Sequence, residues 1–245
     1  MIWDMAFLQS PDNPPQDAQS TQAAQQPTQP PNPAGPHDAE GQEAGGLTEK
    51  ITHIKTPRPD ITIAMRHQTV VQALEKQGLT NHHANQFLTF LQNDRHLLSD
   101  PCVTNKDIRF PALVLEGKSY TTGKTLFEAQ NQAAGSGASM NNIQQSLANM
   151  AIKATKGAYQ PKPPLAFSIC TEGPILELWV HYMTMQEPPQ HHMNVVETGH
   201  SAFFQKTLAF LVMVDNVMGW MSGEFLDRVV KELMMVENQG RRGEN

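Results

Sequence analysis

The chain has 245 residues, of which 39% are hydrophobic, and a formal net charge of −6. Length alone allows one large domain or two small ones, so the distribution of charge is the more informative quantity. The first 45 residues hold six acids, Asp4, Asp12, Asp17, Asp38, Glu40 and Glu43, and no Lys or Arg; removing them leaves eighteen acids against eighteen Lys and Arg. A formally neutral domain lacks the basic surface of a dedicated nucleic-acid binder, so any nucleic-acid contact it makes must be local.

Two cysteines, Cys102 and Cys170, argue against a disulfide framework, and the second lies inside an apolar run that reads as a buried strand. The amino terminus carries an acid at Asp4, no basic residue and too short an apolar stretch for a secretory signal. No window of about 20 apolar residues suggests a membrane span. The longest apolar stretch, residues 208–221, is interrupted by Asp215 and Asn216 and is expected to form a buried helix. These features together predict an intracellular protein, cytoplasmic or nuclear, with no membrane partner.

In chain order, residues 1–46 are rich in Pro, Gln and Ala and acidic, and are expected to be a disordered leader unable to bury a core. A domain is expected over 47–238, with 239–245 as a frayed tail. Residues 51–65 end in β-branched residues alternating with others, as a strand requires, and Asp60 opens that strand. From Thr69 the apolar residues fall at helical spacing, and Gly78 divides them into two helices. RFPALVLEGKS, residues 109–119, is too short for a core helix and is bounded by Pro111 and Gly117, which predicts a central strand. A long helix rich in Ala, Gln and Asn follows from about Thr125; its small residues Ala133, Ala134, Gly135 and Gly137 permit close packing on a sheet. Two β-rich runs separated by Thr171-Glu172-Gly173-Pro174 read as a hairpin. From Thr198 to Val236 the spacing is helical, with a break expected near Trp220 between Gly219 and Gly223. Strand, helices, strand, long helix, hairpin and helices predict an α/β fold with a mixed central sheet flanked by helices.

Side chains at i and i+2 of a strand share a face. Glu116 and Lys118 therefore point the same way, continuing the face of Ala112 and Val114, and are expected where the strand reaches an active-site rim. A carboxylate and an ammonium there divide the work of phosphodiester hydrolysis: Glu116 holds a hard divalent cation such as Mg²⁺ through oxygen, and Lys118 orients or activates water. A second carboxylate from a neighbouring strand would complete the site, and Asp60 is the evident supplier.

Pro59-Asp60 followed by Glu116-Gly117-Lys118 resembles the signature of the PD-(D/E)XK nuclease superfamily. The longer strings PRPDITI, FPALVLEGKS, EAQNQAAGSGASM and PLAFSICTEGPILELWVHY, over roughly residues 55–235, resemble a group of fungal proteins described as PD-(D/E)XK nuclease-like. The resemblance implies a restriction-endonuclease-like core, with Asp60 and Glu116 as metal ligands and Lys118 as the catalytic lysine. It also implies a supporting role for a glutamine on the helix after the catalytic strand, which here is Gln130 or Gln132. The fifty-odd residues between Asp60 and Glu116 then require a helical insertion between the two strands, and the upstream acid common in the superfamily falls to Glu49. The expected function is metal-dependent hydrolysis of DNA or RNA. The alternatives are a nuclease fold without activity, serving as a nucleic-acid or protein interaction module, and a scaffold that meets a partner through its Met-rich carboxy-terminal helices.

Other motifs carry less. GKSYTTGKT departs from phosphate-loop spacing and is expected to start the long helix. The histidine pairs His82-His83 and His191-His192, with His181 and His200, fit no zinc-ligand spacing and are read as surface or core residues. Trp179, Trp220, Met213, Met218, Met221, Met234 and Met235 are expected in the core.

Overall fold

The computed structural model describes residues 58–93, 97, 99, 107–119, 123–184 and 188–243, with side chains described as far as Gly240. The expected leader, Glu49 and Cys102 lie outside the described residues. The fold is α/β: β1 (Ile61–Arg66), α1 (His67–Lys76), α2 (Asn81–Asn93), β2 (Ile108–Lys118), α3 (Leu126–Ala154), β3 (Leu165–Glu172), β4 (Ile175–Thr184), β5 (Gln190–His200), α4 (Phe204–Trp220) and α5 (Leu226–Gly243). The five strands form one mixed sheet in the order β1-β2-β3-β4-β5. Only the β2–β3 pair is parallel, and the 29-residue helix α3 is its crossover; the other neighbours pair antiparallel.

The helical insertion is present as α1 and α2, and it returns the chain so that β2 runs antiparallel to β1, with Ile61 opposite Leu115. Pro111 sits within β2, where β2 pairs with β1 but not yet with β3, whose partnership begins at Leu113. A residue without an N–H is tolerated there because no ladder bond on the other side depends on it. The preceding Phe110, fully buried, has a left-handed φ of 50°, and the register with β1 shifts around it, as at a β-bulge.

Strand alternation divides the sheet into two faces of different chemistry. Leu113, Ile169 and Leu178 share one apolar cluster with Phe210, Val217, Met221 and Phe225 from α4 and the turn after it, and Phe167 meets Trp220 edge-on at 5.4 Å. The opposite face meets α3, where Val114 and Ala166 pack on Met140 and Cys170 packs on Ala129 and Ala133. At Gly137 the helix comes so close to β4 that a Cβ would lie 2.1 Å from His181 Nδ1.

Three expectations are corrected. Residues 190–200 form a fifth strand, β5, for which no element was expected before Thr198, and α4 begins at Phe204 rather than near Thr198. As an edge strand, β5 has mostly exposed or half-buried residues and so shows no apolar run, while a bulge that leaves Val196 unpaired between Val195 and Glu197 breaks its alternation. Near Trp220 the chain does not break: α4 passes through a π-helical turn, Met221–Phe225, directly into α5, which continues to Gly243 through most of the expected tail. The helix expected to be buried is half open, since within α4 only Phe210 and Val217 are buried and Met218 is 39% exposed.

Candidate active site

Glu116 and Lys118 occupy the last three residues of β2, on the face that meets α3. Glu116 lies deeper than a rim residue: it is 1% exposed, neither carboxylate oxygen has a hydrogen-bond partner, and the nearest cation, Lys118 Nζ, is 3.9 Å from Oε2. Lys118 is also enclosed, its side chain 6% exposed, and it donates to Gln132 Oε1. The rim location expected from the strand pattern is thus corrected, because α3 closes over the strand end with small residues that bring its backbone near.

Asp60, at the bend before β1, is brought to the same place by the β1–β2 pairing. Its Oδ2 accepts the Gly117 N–H at 2.8 Å, so one carboxylate oxygen anchors the strand. Burial pushes the Glu116 carboxyl up to about 7; Lys118 opposes this and the negative charge of Asp60 adds to it. A carboxylate in that position is short of positive charge, because the Lys118 ammonium is slightly beyond hydrogen-bond distance and shared with Gln132.

The α3 glutamines separate. Gln132 joins Lys118, whereas Gln130 donates to Glu177 Oε2 at 2.8 Å on the other flank of the helix. Glu177 also accepts from Trp179 Nε1 at 2.9 Å. Reasoning from motifs missed this residue, although an acid within the apolar run ILELWV was a visible signal. The register aligns Glu116 with Cys170 and Cys170 with Glu177, so the three form one row across β2, β3 and β4. Between two acids and fully buried, the Cys170 thiol is pushed up to about 12, first by burial and then by Glu177, which makes it a packing residue rather than a nucleophile. Glu172, level with Lys118, accepts the Leu126 N–H at 2.8 Å and so holds the positive end of α3 against the strand ends. Glu128 Oε2 reaches back to the Thr125 N–H at 3.4 Å, so the Gly-Lys-Thr turn does serve to start this helix.

Farther along the same face, Ser168 Oγ and His181 Nε2 form a buried hydrogen bond of 2.8 Å beneath Gly137. Among the described residues, no group of three or more His, Cys, Asp or Glu side chains has a spacing suited to a metal ion. Two carboxylates with hard oxygen donors, one with both oxygens unbonded, nonetheless match the donor type that Mg²⁺ takes, since that ion usually keeps several waters beside one or two carboxylates.

The model of the domain of unknown function DUF7924 matches residues 18–233. The chain belongs to this family. No curated protein and no solved structure matches it. No helix among the described residues of this DUF7924 chain is long and apolar enough to cross a membrane.

Proposed function

We propose that this DUF7924 domain is a metal-dependent, nuclease-like hydrolase of phosphodiester bonds in DNA or RNA, with Asp60 and Glu116 as ligands for Mg²⁺ and Lys118 as the catalytic lysine. The observation that carries this reading is Glu116: a carboxylate 1% exposed, with no hydrogen bond to either oxygen, beside an ammonium and a second carboxylate's anchor point. Such an arrangement costs stability unless a proton or a cation satisfies it. The resemblance of the Pro59-Asp60 and Glu116-Gly117-Lys118 segments to the PD-(D/E)XK signature, with the glutamine-bearing helix directly after the second, supports the same reading.

A bound Mg²⁺ supplies charge neutralisation for the phosphate and a more acidic water. Asp60, tied to Gly117 through one oxygen, keeps the other for a ligand. Gln132 holds the Lys118 ammonium at a fixed place beside Glu116, from which it can orient a water or neutralise a phosphate oxygen. Gln130 belongs to the Glu177 and Trp179 side and supports the helix rather than the reaction.

A second reading, in which the nuclease-like fold has no activity and serves as a nucleic-acid or protein interaction module, is favoured by the meeting of just two carboxylates beside Gly117 among the described residues and by the formally neutral domain. Assays on plasmid, single-stranded DNA and RNA with Mg²⁺ or Mn²⁺ separate the two. Cleavage by the wild type that falls about 100-fold or more in Lys118→Ala is the expected result. Equal products from both proteins would overturn the hydrolase reading. Calorimetric Mg²⁺ binding should be lost in Asp60→Ala and Glu116→Ala; a wild type that neither binds nor cleaves leaves the interaction module.

A further inference from the structure

Helix α4 is apolar nearly all the way round, yet the sheet covers only one side of it. Phe210 and Val217 are buried, with Phe210 against Gly199 of β5. The opposite side carries Phe204 at 74% exposure, Leu208 at 45%, Leu211 at 55%, Val212 at 53% and Met218 at 39%, and Phe203 beside the helix start is 60% exposed. Steps of three, four and seven residues place Phe204, Leu208, Leu211, Val212, Asp215 and Met218 on one stripe. These apolar residues offer on the order of 600 Å², at the upper end of what a monomer leaves open and most of the roughly 800 Å² that one partner contributes to a stable interface.

We propose that this stripe is covered by the same stripe of a second copy of the chain, the two α4 helices running antiparallel about a two-fold axis near Leu211 and Val212. The pattern is self-complementary about that point. Reversal sets Phe204 against the partner helix's Met218 position and Asp215 against the Leu208 position, while Leu211 and Val212 meet their own counterparts. Charge fits the same arrangement: the amino terminus of α4 has no side-chain cap and no acid in its first turn, and the antiparallel partner brings Asp215 toward that positive end. A parallel pair would instead bring the two Asp215 carboxylates together. A lipid surface fits poorly, because it would have to bury Asp215 at the middle of the stripe with Lys206 as the only base on the helix. The inference stands independently of the hydrolase reading.

Sedimentation of the full chain tests it. At about 50 μM the wild type should sediment as a dimer, and Leu211→Asp as a monomer that keeps the wild-type circular dichroism spectrum, since the residue lies on the open side of the helix. Geometry is tested by oxidative cross-linking in a Cys102→Ser background. Leu211→Cys should form a disulfide dimer by itself, whereas Phe204→Cys should do so only when mixed with Met218→Cys. A monomeric wild type, a monomer that instead binds anionic vesicles, or Phe204→Cys cross-linking to itself would each overturn the proposal.

Discussion

The two faces of the sheet solve the same packing problem with opposite materials. On the face toward α4 and the turn after it, large side chains interdigitate: Leu113, Ile169, Leu178 and Phe167 against Phe210, Trp220 and Phe225. On the face toward α3, the helix presents Ala129, Ala133, Ser136 and Gly137, and the sheet presents Glu116, Ser168, Cys170 and His181, all of them buried. Close approach of a small-residue helix seals polar groups that bulky packing would have displaced. The first face holds the fold together by area, whereas the second spends part of that stability on placing groups able to do chemistry.

The apolar face should be the more sensitive to truncation. Phe225 is fully buried, stacked on Trp220 at 4.9 Å with the Arg228 guanidinium 5.2 Å from its ring centre. Phe225→Ala should lower the free energy of unfolding by about 4 kcal/mol in urea titration. A loss below about 1 kcal/mol would mean that the π-helical turn is not a fixed part of the core.

On the α3 face the weak point is space rather than area. A methyl group at Gly137 would overlap the His181 ring, which cannot swing away because it is 2% exposed and bonded to Ser168. Gly137→Ala should therefore cost about 3 kcal/mol. The double change Gly137→Ala with His181→Ala should recover part of it, a coupling that a general helix-propensity effect, which favours Ala, would not produce.

How far these faces were legible in the sequence differs for the same reason. The strand β2 and the hairpin of β3 and β4 stood out because continuous apolar runs mark strands buried on both sides. The shared face of Glu116 and Lys118 followed from alternation alone. The depth of Glu116, the turn of Gln130 toward Glu177 and the opening of one side of α4 did not, because each depends on how closely one element approaches another. Strand β5 was missed since an edge strand need satisfy only one neighbour and tolerates His, Asn and a bulge.

Acid should act on the α3 face before the other. Burial holds His181 down at about 4 instead of 6.5. The folded state therefore refuses a proton that the unfolded chain accepts, and the stability this group contributes is complete above pH 6.5 and is lost as pH falls through 4. The loss should be about 2 kcal/mol by pH 5, read as a falling denaturation midpoint, and it should shrink in His181→Gln. The facing partners on this side are Ser168 and the Gly137 backbone, neither of which titrates in that range.

Glu116 should show the opposite trend. Its carboxyl is raised to about 7 from 4.5, so the folded protein holds this proton where the unfolded chain has released it. The relative stability is present at low pH and is lost as pH rises through 7. In Glu116→Gln the charge is absent, so without divalent cation the variant should exceed the wild type by about 3 kcal/mol at pH 8 and match it near pH 4.5. Millimolar Mg²⁺ at pH 8 should then raise the melting temperature of the wild type and leave that of the variant unchanged. The pH term alone tests the burial of an unbonded carboxylate, and the Mg²⁺ term alone tests what that burial is for. A wild type that loses stability as pH rises through 7 but gains none from Mg²⁺ would keep the structure's account of Glu116 and remove the metal from it.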